Sequence, residues 1–163
     1  MMREMVSEAD QLIAESFESF YRRSWHQIHK AVAIGVSNSD LATEAVNEAM
    51  VRAYERWGEV SGYENPEGWV YRVAMNWARS WLRRLRYRST LDIPDPGVDD
   101  TDITDPRVVK AVRSLSFHHR EVVIARFVLD LSEAQMAEAL GIPRGTVKSR
   151  LHRALETLKE ELA

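Results

Sequence analysis

The chain lacks several features that whole classes of protein depend on. It contains no cysteine, which excludes disulfide bonds and thiolate metal ligands. No stretch approaches the roughly 20 apolar residues of a membrane-spanning helix, and the charged N-terminus has no apolar signal-peptide core. The pairs His26 and His29, and His118 and His119, have no partnering carboxylate cluster at metal-site spacing. We therefore expect no metal, no cofactor, no catalytic site and no membrane insertion, and a cytoplasmic location.

The charges are unevenly distributed although the net charge is only −3. Residues 71–90 contain six arginines and no acidic residue, whereas residues 91–106 contain six aspartates, three prolines and no basic residue. The acidic block has little apolar periodicity, so it is predicted to be a flexible linker over residues 89–106. Apolar residues before the block recur at helical intervals with no β pattern. The predicted fold is all-α, with helical domains at 1–88 and 107–163.

A helix, a tight turn and a second helix are predicted over residues 132–162. Ser132 can cap the first helix, 133–140, with Gln135 bonding back to the cap. Gly141 is suited to a left-handed residue that ends the helix, and Pro143 is predicted at the first position of the next one. The inward residues of the first helix are predicted to be Ala134, Ala137 and Leu140. This pattern is typical of a helix-turn-helix that binds DNA.

The second helix of this motif has one apolar and one polar face. The apolar residues that share a face are Val147, Leu151, Ala154, Leu155, Leu158 and Leu162. The residues predicted to contact DNA are Arg144, Thr146, Lys148, Ser149, Arg150 and Arg153. Arginine can bind guanine in a bidentate manner, and hydroxyls and a helix N-terminus can bind bases or phosphates. The alternative is an ordinary solvated helix face.

Two helices are predicted in the first half of the chain before its basic block. Aromatic and aliphatic residues from Ile13 to Val32 give a long amphipathic helix that closes near Gly35. Asn38 or Ser39 can cap a second helix, which Gly58 is predicted to end. Its acidic outward face is either solvated or available to a partner.

A third helix is predicted to begin at Pro66 and to carry a basic face. On a helical wheel, Asn76 lies within about 40° of a row of arginines; this arginine row is Arg72, Arg79, Arg83 and Arg86. The opposite side carries Val70, Val73, Ala74, Trp77, Trp81 and Leu85. A row of like charges favours an anionic partner, and a nucleic-acid backbone is the obvious one. Tyr63, Asn65 and Trp69 lie nearby as candidate base contacts, although Trp69 is equally interpretable as a core residue.

Three segments together resemble a known family. DLATEAVNEAMVRAYERW is similar to a polymerase-docking helix, NPEGWVYRVAMNWARSWLRRLR to a promoter-melting, minus-ten-reading region, and LSEAQMAEALGIPRGTVKSRLHRAL to a minus-thirty-five reader. In this order, they resemble bacterial extracytoplasmic-function sigma factors that have only regions 2 and 4. The chain departs from the family's common residues at Glu44, Asn47, Met50, Met75 and Ser80.

The resemblance implies partners and roles for particular residues. Core RNA polymerase would bind Asp40, Glu44, Asn47, Glu48, Val51 and Tyr54. The minus-ten element would bind Tyr63, Asn65, Trp69, Arg72, Asn76, Arg79 and Arg83, and helix 144–153 would read the minus-thirty-five element. An anti-sigma factor is a typical partner of the family. The alternative is a dimeric, ligand-responsive helix-turn-helix regulator, which leaves the arginine row unexplained.

Overall fold

The described part of the chain is entirely helical. The computed structural model describes the backbone of residues 15–88 and 105–163, and the side chains of residues 15–85 and 105–163. Over these residues it contains α1 (Phe17–Val36), α2 (Ser39–Glu55), α3 (Trp57–Val60), α4 (Pro66–Arg88), α5 (Pro106–Ser114), α6 (Phe117–Phe127), α7 (Glu133–Leu140) and α8 (Arg144–Glu161). The predicted all-α fold is confirmed.

Local side-chain caps explain several of the helix boundaries. The Asn38 side chain accepts a hydrogen bond from the Leu41 backbone N–H at 3.0 Å, which fixes the start of α2. The predicted end of this helix at Gly58 was wrong, because α2 ends at Glu55 and Gly58 lies inside the short helix α3. The Trp57 indole donates a hydrogen bond to the Glu15 backbone carbonyl at 2.9 Å, so the chain turns one residue before the glycine.

The helix-turn-helix forms with the predicted capping box. Ser132 and Gln135 bond each other's backbone N–H groups, and Gly141 ends α7 with φ of 65°. Two details were wrong. Pro143 is the N-cap of α8 rather than its first residue. Ala134 is exposed, because Met136 and Ala139 turn inward instead.

Helix α8 buries only part of its predicted apolar stripe. Val147, Leu151, Ala154 and Leu158 are buried, as predicted. Leu155 and Leu162 remain 40% and 46% exposed, because they lie at the edge and the end of the contact with the neighbouring helices.

The helices form two bodies that pack against each other. Helices α1, α2 and α4 pack together in the first body (residues 17–88), and α6, α7 and α8 pack together in the second (residues 106–161). Of the predicted linker, residues 89–104 lie outside the described residues. Asp105 caps α5 by accepting a hydrogen bond from the Arg107 N–H at 2.9 Å, and Pro106 is the first residue of that helix.

The contact between the bodies, which we call the interbody contact, joins α1 to α6 and α4 to α7. The Tyr71 hydroxyl donates a hydrogen bond to the Glu121 backbone carbonyl at 3.0 Å, and Gln27 donates one to the Val128 carbonyl at 3.1 Å. A Cβ atom on Gly68 would lie only 2.7 Å from the Cβ of Ala139. The two bodies therefore meet at close backbone distance and share one apolar core.

Helix α4 is buried on a wider arc than its apolar side requires. Val70 and Ala74 of the predicted apolar side are fully buried, while Val73, Trp77 and Trp81 are only partly buried. Tyr71, Met75 and Ala78 are also fully buried. The second body supplies part of this burial, since Tyr71 bonds α6. No helix within the described ranges is long and apolar enough to cross a membrane.

Candidate nucleic-acid interface

The outer side of α8 presents its predicted DNA-contacting residues to different environments. Arg144, Lys148, Ser149 and Arg153 are exposed, whereas Thr146 and Arg150 are partly buried. Glu133 of α7 lies 4.0 Å from the Arg144 guanidinium and 3.9 Å from the Lys148 ammonium. These pairs are long and largely exposed, so they hold the two basic side chains only weakly and leave them able to bind phosphate.

The interbody contact divides the arginine row on α4. The Arg72 guanidinium lies against Gly141, because a Cβ atom on that glycine would be 2.7 Å from one of its nitrogens. Arg79 stacks over the Phe117 ring at 4.4 Å from the ring centre. Asn76 and Arg83 are instead exposed on the first body. The side chain of Arg86 lies outside the described residues. Half of the row therefore faces the second body and half faces solvent.

The loop before α4 is organised by its own polar side chains. The Asn65 carboxamide oxygen accepts a hydrogen bond from the Gly68 N–H at 2.7 Å, so Asn65 caps α4. An asparagine directly before Pro66 is a signal for such a cap, which the base-contact interpretation overlooked. The Tyr63 hydroxyl donates to Glu59 at 2.7 Å, and this bond raises the pKa of the tyrosine.

Trp69 lies beside this loop and is partly buried. Its ring centre is 6.3 Å from that of Tyr63, and the Arg56 guanidinium lies 5.8 Å above it. The structure thus brings Tyr63, Asn65 and Trp69 together at the N-terminal end of α4. One face of the indole packs while the remainder is accessible.

The predicted polymerase-binding residues form one surface along α2. Asp40, Glu44 and Asn47 are exposed, and Glu48 is partly buried. Val51 and Tyr54 are 53% and 66% exposed, which is unusual for such large apolar side chains. Asn47 has a structural contact as well, because it accepts a hydrogen bond from the Trp25 indole at 3.1 Å. The acidic and apolar surface is separate from the arginine row.

A buried carboxylate lies behind the interbody contact. The side chain of Glu121 is only 9% exposed, and its nearest charged neighbour is His118 at 4.0 Å. Burial raises the pKa of Glu121 to about 7, although Arg150, Arg79 and Arg72 act in the opposite direction. Burial and the same Arg150 and Arg79 lower the pKa of His118. Glu121 is a polar member of the contact that the sequence pattern did not identify.

The other histidine pair has a packing role, and no metal cluster is formed. The His29 ring stacks on Trp25 with ring centres 4.8 Å apart, and its Nε2 lies 3.0 Å from the Thr43 hydroxyl. Among residues 15–88 and 105–163, no group of three or more His, Asp or Glu side chains is arranged to hold a metal ion.

A cleft between α2 and α4 contains residues that the sequence analysis did not assign to a site. The α2–α4 cleft is lined by Arg52, Val73, Asn76, Trp77, Ser80, Arg83 and Arg84. Asn76 and Arg83 were predicted to contact DNA, but Arg52, Trp77 and Arg84 were not. Arg84 lies about 120° from Arg72 on the helical wheel, and Arg52 belongs to another helix, so neither joined the predicted row.

Comparison with known proteins decides between the two candidate functions. The sigma-70 region 4 family model matches residues 107–158. The RNA polymerase sigma-E factor of Streptomyces avermitilis is 32% identical over 153 residues, covering 90% of this chain and 84% of the relative. This chain belongs to the extracytoplasmic-function sigma factors. It is therefore a sigma factor of RNA polymerase, which acts in transcription initiation, binds DNA through a helix-turn-helix and is not an enzyme.

Further relatives agree with this assignment over most of the sigma factor's length. The extracytoplasmic-function sigma factor SigM of Mycobacterium tuberculosis is 29% identical, covering 85% of this chain and 73% of the relative. SigV of Bacillus subtilis is 27% identical, with 92% and 88% covered.

Solved structures show the same fold. The sigma factor RpoE of Bartonella quintana, solved with the anti-sigma factor NepR, has a TM-score of 0.72 at 23% identity, covering 88% of this chain and 96% of that one. CnrH, solved with the cytosolic domain of CnrY, has a TM-score of 0.62 at 19% identity, covering 90% and 86%.

Proposed function

We propose that this sigma factor reads a promoter at two elements. Helix α8 would enter the major groove of the minus-thirty-five element with Arg144, Thr146, Lys148, Ser149, Arg150 and Arg153. Helix α4 and the loop before it would bind the minus-ten element with Tyr63, Asn65, Trp69, Arg72, Asn76, Arg79 and Arg83. The observation that carries this proposal is the set of guanidinium and amide groups on α4, next to an aromatic pair that can hold an unstacked base.

Reading both elements requires the two bodies to separate. The elements are named about 25 base pairs apart, which is about 85 Å along B-form DNA. The bodies touch in the structure, and Arg72 and Arg79 face the second body rather than solvent. Residues 89–104 reach up to about 55 Å when extended, so the chain permits the separation. Opening would also release the two covered arginines for phosphate binding.

Docking on polymerase would use the outer surface of α2. The exposed Val51 and Tyr54 offer apolar contacts, and Asp40, Glu44, Asn47 and Glu48 surround them with polar groups. Such an apolar patch with a polar rim is suited to a protein partner. An anti-sigma factor is a further proposed partner, supported by the complex of RpoE from Bartonella quintana with NepR. The proposed location is the cytoplasm, with polymerase and DNA.

Reconstitution with core polymerase tests the promoter-reading proposal. Holoenzyme would be used to select promoter DNA, and the selected duplex would then be measured with variants. We expect Arg150→Ala to weaken binding to the minus-thirty-five region while polymerase binding persists. We expect Arg79→Ala with Arg83→Ala to lower open-complex formation and its salt dependence, because fewer phosphates are neutralised.

The same measurements include a control and a contrary result. Arg22→Ala removes an arginine from the exposed outer side of α1, where it pairs with Glu18 at 2.7 Å. This variant should match the wild type in each assay. Promoter binding that is unaffected by both the Arg150 and the Arg79/Arg83 changes would contradict the proposed reading surfaces.

A further inference from the structure

The α2–α4 cleft is the largest concave basic feature of the first body. It is open to solvent and has a volume of about 850 Å³. All its lining residues belong to the first body, so the second body does not cover it. Sites of about 300–1,000 Å³ hold single small molecules. A nucleotide or two can therefore enter the cleft, whereas a duplex is too wide.

Three guanidinium groups give the cleft an excess of positive charge. Arg83 and Arg84 are exposed, and neither forms an ion pair with any described side chain. Arg52 reaches the cleft from α2 and lies 3.3 Å from Glu48, with about half of its side chain exposed. This pair follows the helix surface and is solvated, so it contributes little and a phosphate can compete for Arg52. The cleft is suited to an anion that can contact two helices at once.

The cleft also contains an aromatic ring and neutral polar groups. Trp77 is partly buried, with Asn76 and Ser80 next to it on α4. An indole fixed by packing on one side can stack with a base on the other without regard to base identity. A basic groove combined with an aromatic ring is the usual combination for single-stranded nucleic acid.

We propose that the α2–α4 cleft binds a single-stranded segment of promoter DNA, with Arg52 and Arg84 on its phosphates and one base stacked on Trp77. The inference rests on the proposed minus-ten function, because Asn76 and Arg83 line the same cleft. It extends that surface from α4 onto α2. Arg52 thereby becomes a DNA contact next to the polymerase-docking surface, and strand capture is coupled in space to polymerase binding.

The experiment measures binding of a fluorescent single-stranded oligonucleotide to reconstituted holoenzyme over a range of salt concentrations. Each lost phosphate contact lowers the slope of log K against log salt by about 0.7. Arg52→Ala and Arg84→Ala should each show this decrease, and Arg52→Lys should restore the slope because it keeps the charge. Arg22→Ala is the matched control and should leave the slope unchanged.

A second variant tests the aromatic part of the cleft. Trp77→Leu should weaken oligonucleotide binding about fivefold or more, by a similar factor for each base, with no change in salt slope. Circular dichroism and thermal unfolding check that the variant is folded. If it is not, the arginine variants alone decide the proposal.

Each contrary outcome has a distinct meaning. Unchanged slopes for both arginine variants, with Arg79→Ala/Arg83→Ala still defective on promoter DNA, would overturn the cleft proposal and leave the minus-ten function standing. Reduced affinity of Arg52→Ala for core polymerase, with oligonucleotide binding intact, would assign the cleft to a protein partner and overturn the proposal as well. Failure of wild-type holoenzyme to bind promoter DNA would instead refute the proposed function.

Discussion

Replacing Glu121 with glutamine tests whether a buried carboxylate opposes the interbody contact. Burial raises the pKa of this group from 4.5 to about 7 in the folded protein. At about 1.4 kcal/mol for each pH unit, the ionised carboxylate destabilises the fold by about 3 kcal/mol above pH 7. Glutamine has nearly the same shape and carries no charge. Glu121→Gln should therefore stabilise the protein at pH 8 by about 2–3 kcal/mol.

The pH dependence gives this prediction its sign. Below about pH 4.5 the carboxyl group is protonated in both the folded and the unfolded chain, so it has no effect. Between about pH 4.5 and pH 7 the unfolded chain has lost the proton that the folded protein still holds, and the free energy of unfolding falls as the pH rises. The advantage of Glu121→Gln over the wild type should thus be below about 1 kcal/mol at pH 5 and largest at pH 8.

Two measurements follow this change. Urea unfolding monitored by tryptophan fluorescence gives the free energy of unfolding at each pH. The chain has no cysteine, so cysteines introduced at the exposed positions Arg22 and Glu160 can carry a dye pair that reports separation of the bodies. Raising the pH from 5 to 8 should lower energy transfer in the wild type, and this decrease should be smaller in Glu121→Gln.

Glu138→Gln is the matched control, because that carboxylate is exposed on α7. It should leave the stability within about 0.5 kcal/mol of the wild type. A Glu121→Gln protein that is less stable than the wild type at pH 8 would refute the reasoning. In that case the attraction of Arg150, Arg79 and Arg72 for the carboxylate would outweigh the effect of its burial.

Three further changes test contacts that position the two bodies. Gly68→Ala should destabilise the protein by about 1–3 kcal/mol in urea unfolding, because the new methyl group meets an α7 side chain at 2.7 Å. Gly58→Ala, with open space at the same atom, should not, and equal stability of the two variants would disprove the close approach. Tyr71→Phe should lower the free energy of unfolding by about 1 kcal/mol through loss of its hydrogen bond to α6, and a neutral result would show that the bond contributes nothing. Ser132→Ala should lower the Tm through the loss of about 1 kcal/mol of capping energy, and an unchanged Tm would count against the capping box as a stabilising element.

Features determined by neighbouring residues were predictable from the sequence. The Ser132 capping box, the left-handed Gly141 and the Asn38 cap depend on side chains within a few positions of each other, so their spacing alone indicates them. Local reasoning failed where a distant contact competes. Gly58 was expected to end α2, but the indole of Trp57 bonds the chain near Glu15 and sets the boundary earlier.

The candidate site was predictable only in part, for a related reason. A helical wheel describes one helix with one buried side, and it correctly placed Val70 and Ala74 inside. It has no means of indicating that α4 is buried on a second side, where Tyr71 and Met75 face other helices. It also cannot bring Arg52 of α2 to the α4 surface, because that proximity depends on how two helices cross.

The composition of the interbody contact favours an arrangement that polymerase and DNA can reverse. Arg72 and Arg79 lie against a helix end and an aromatic ring, with no carboxylate ion pair among the described salt bridges. A cation over an aromatic ring contributes about 0.5–2 kcal/mol, whereas the buried Glu121 opposes the contact by about 3 kcal/mol when ionised. Promoter phosphates offer the same arginines full negative charges, and separation gives Glu121 access to water. The buried glutamate and the covered arginines therefore both favour the open form once DNA is present.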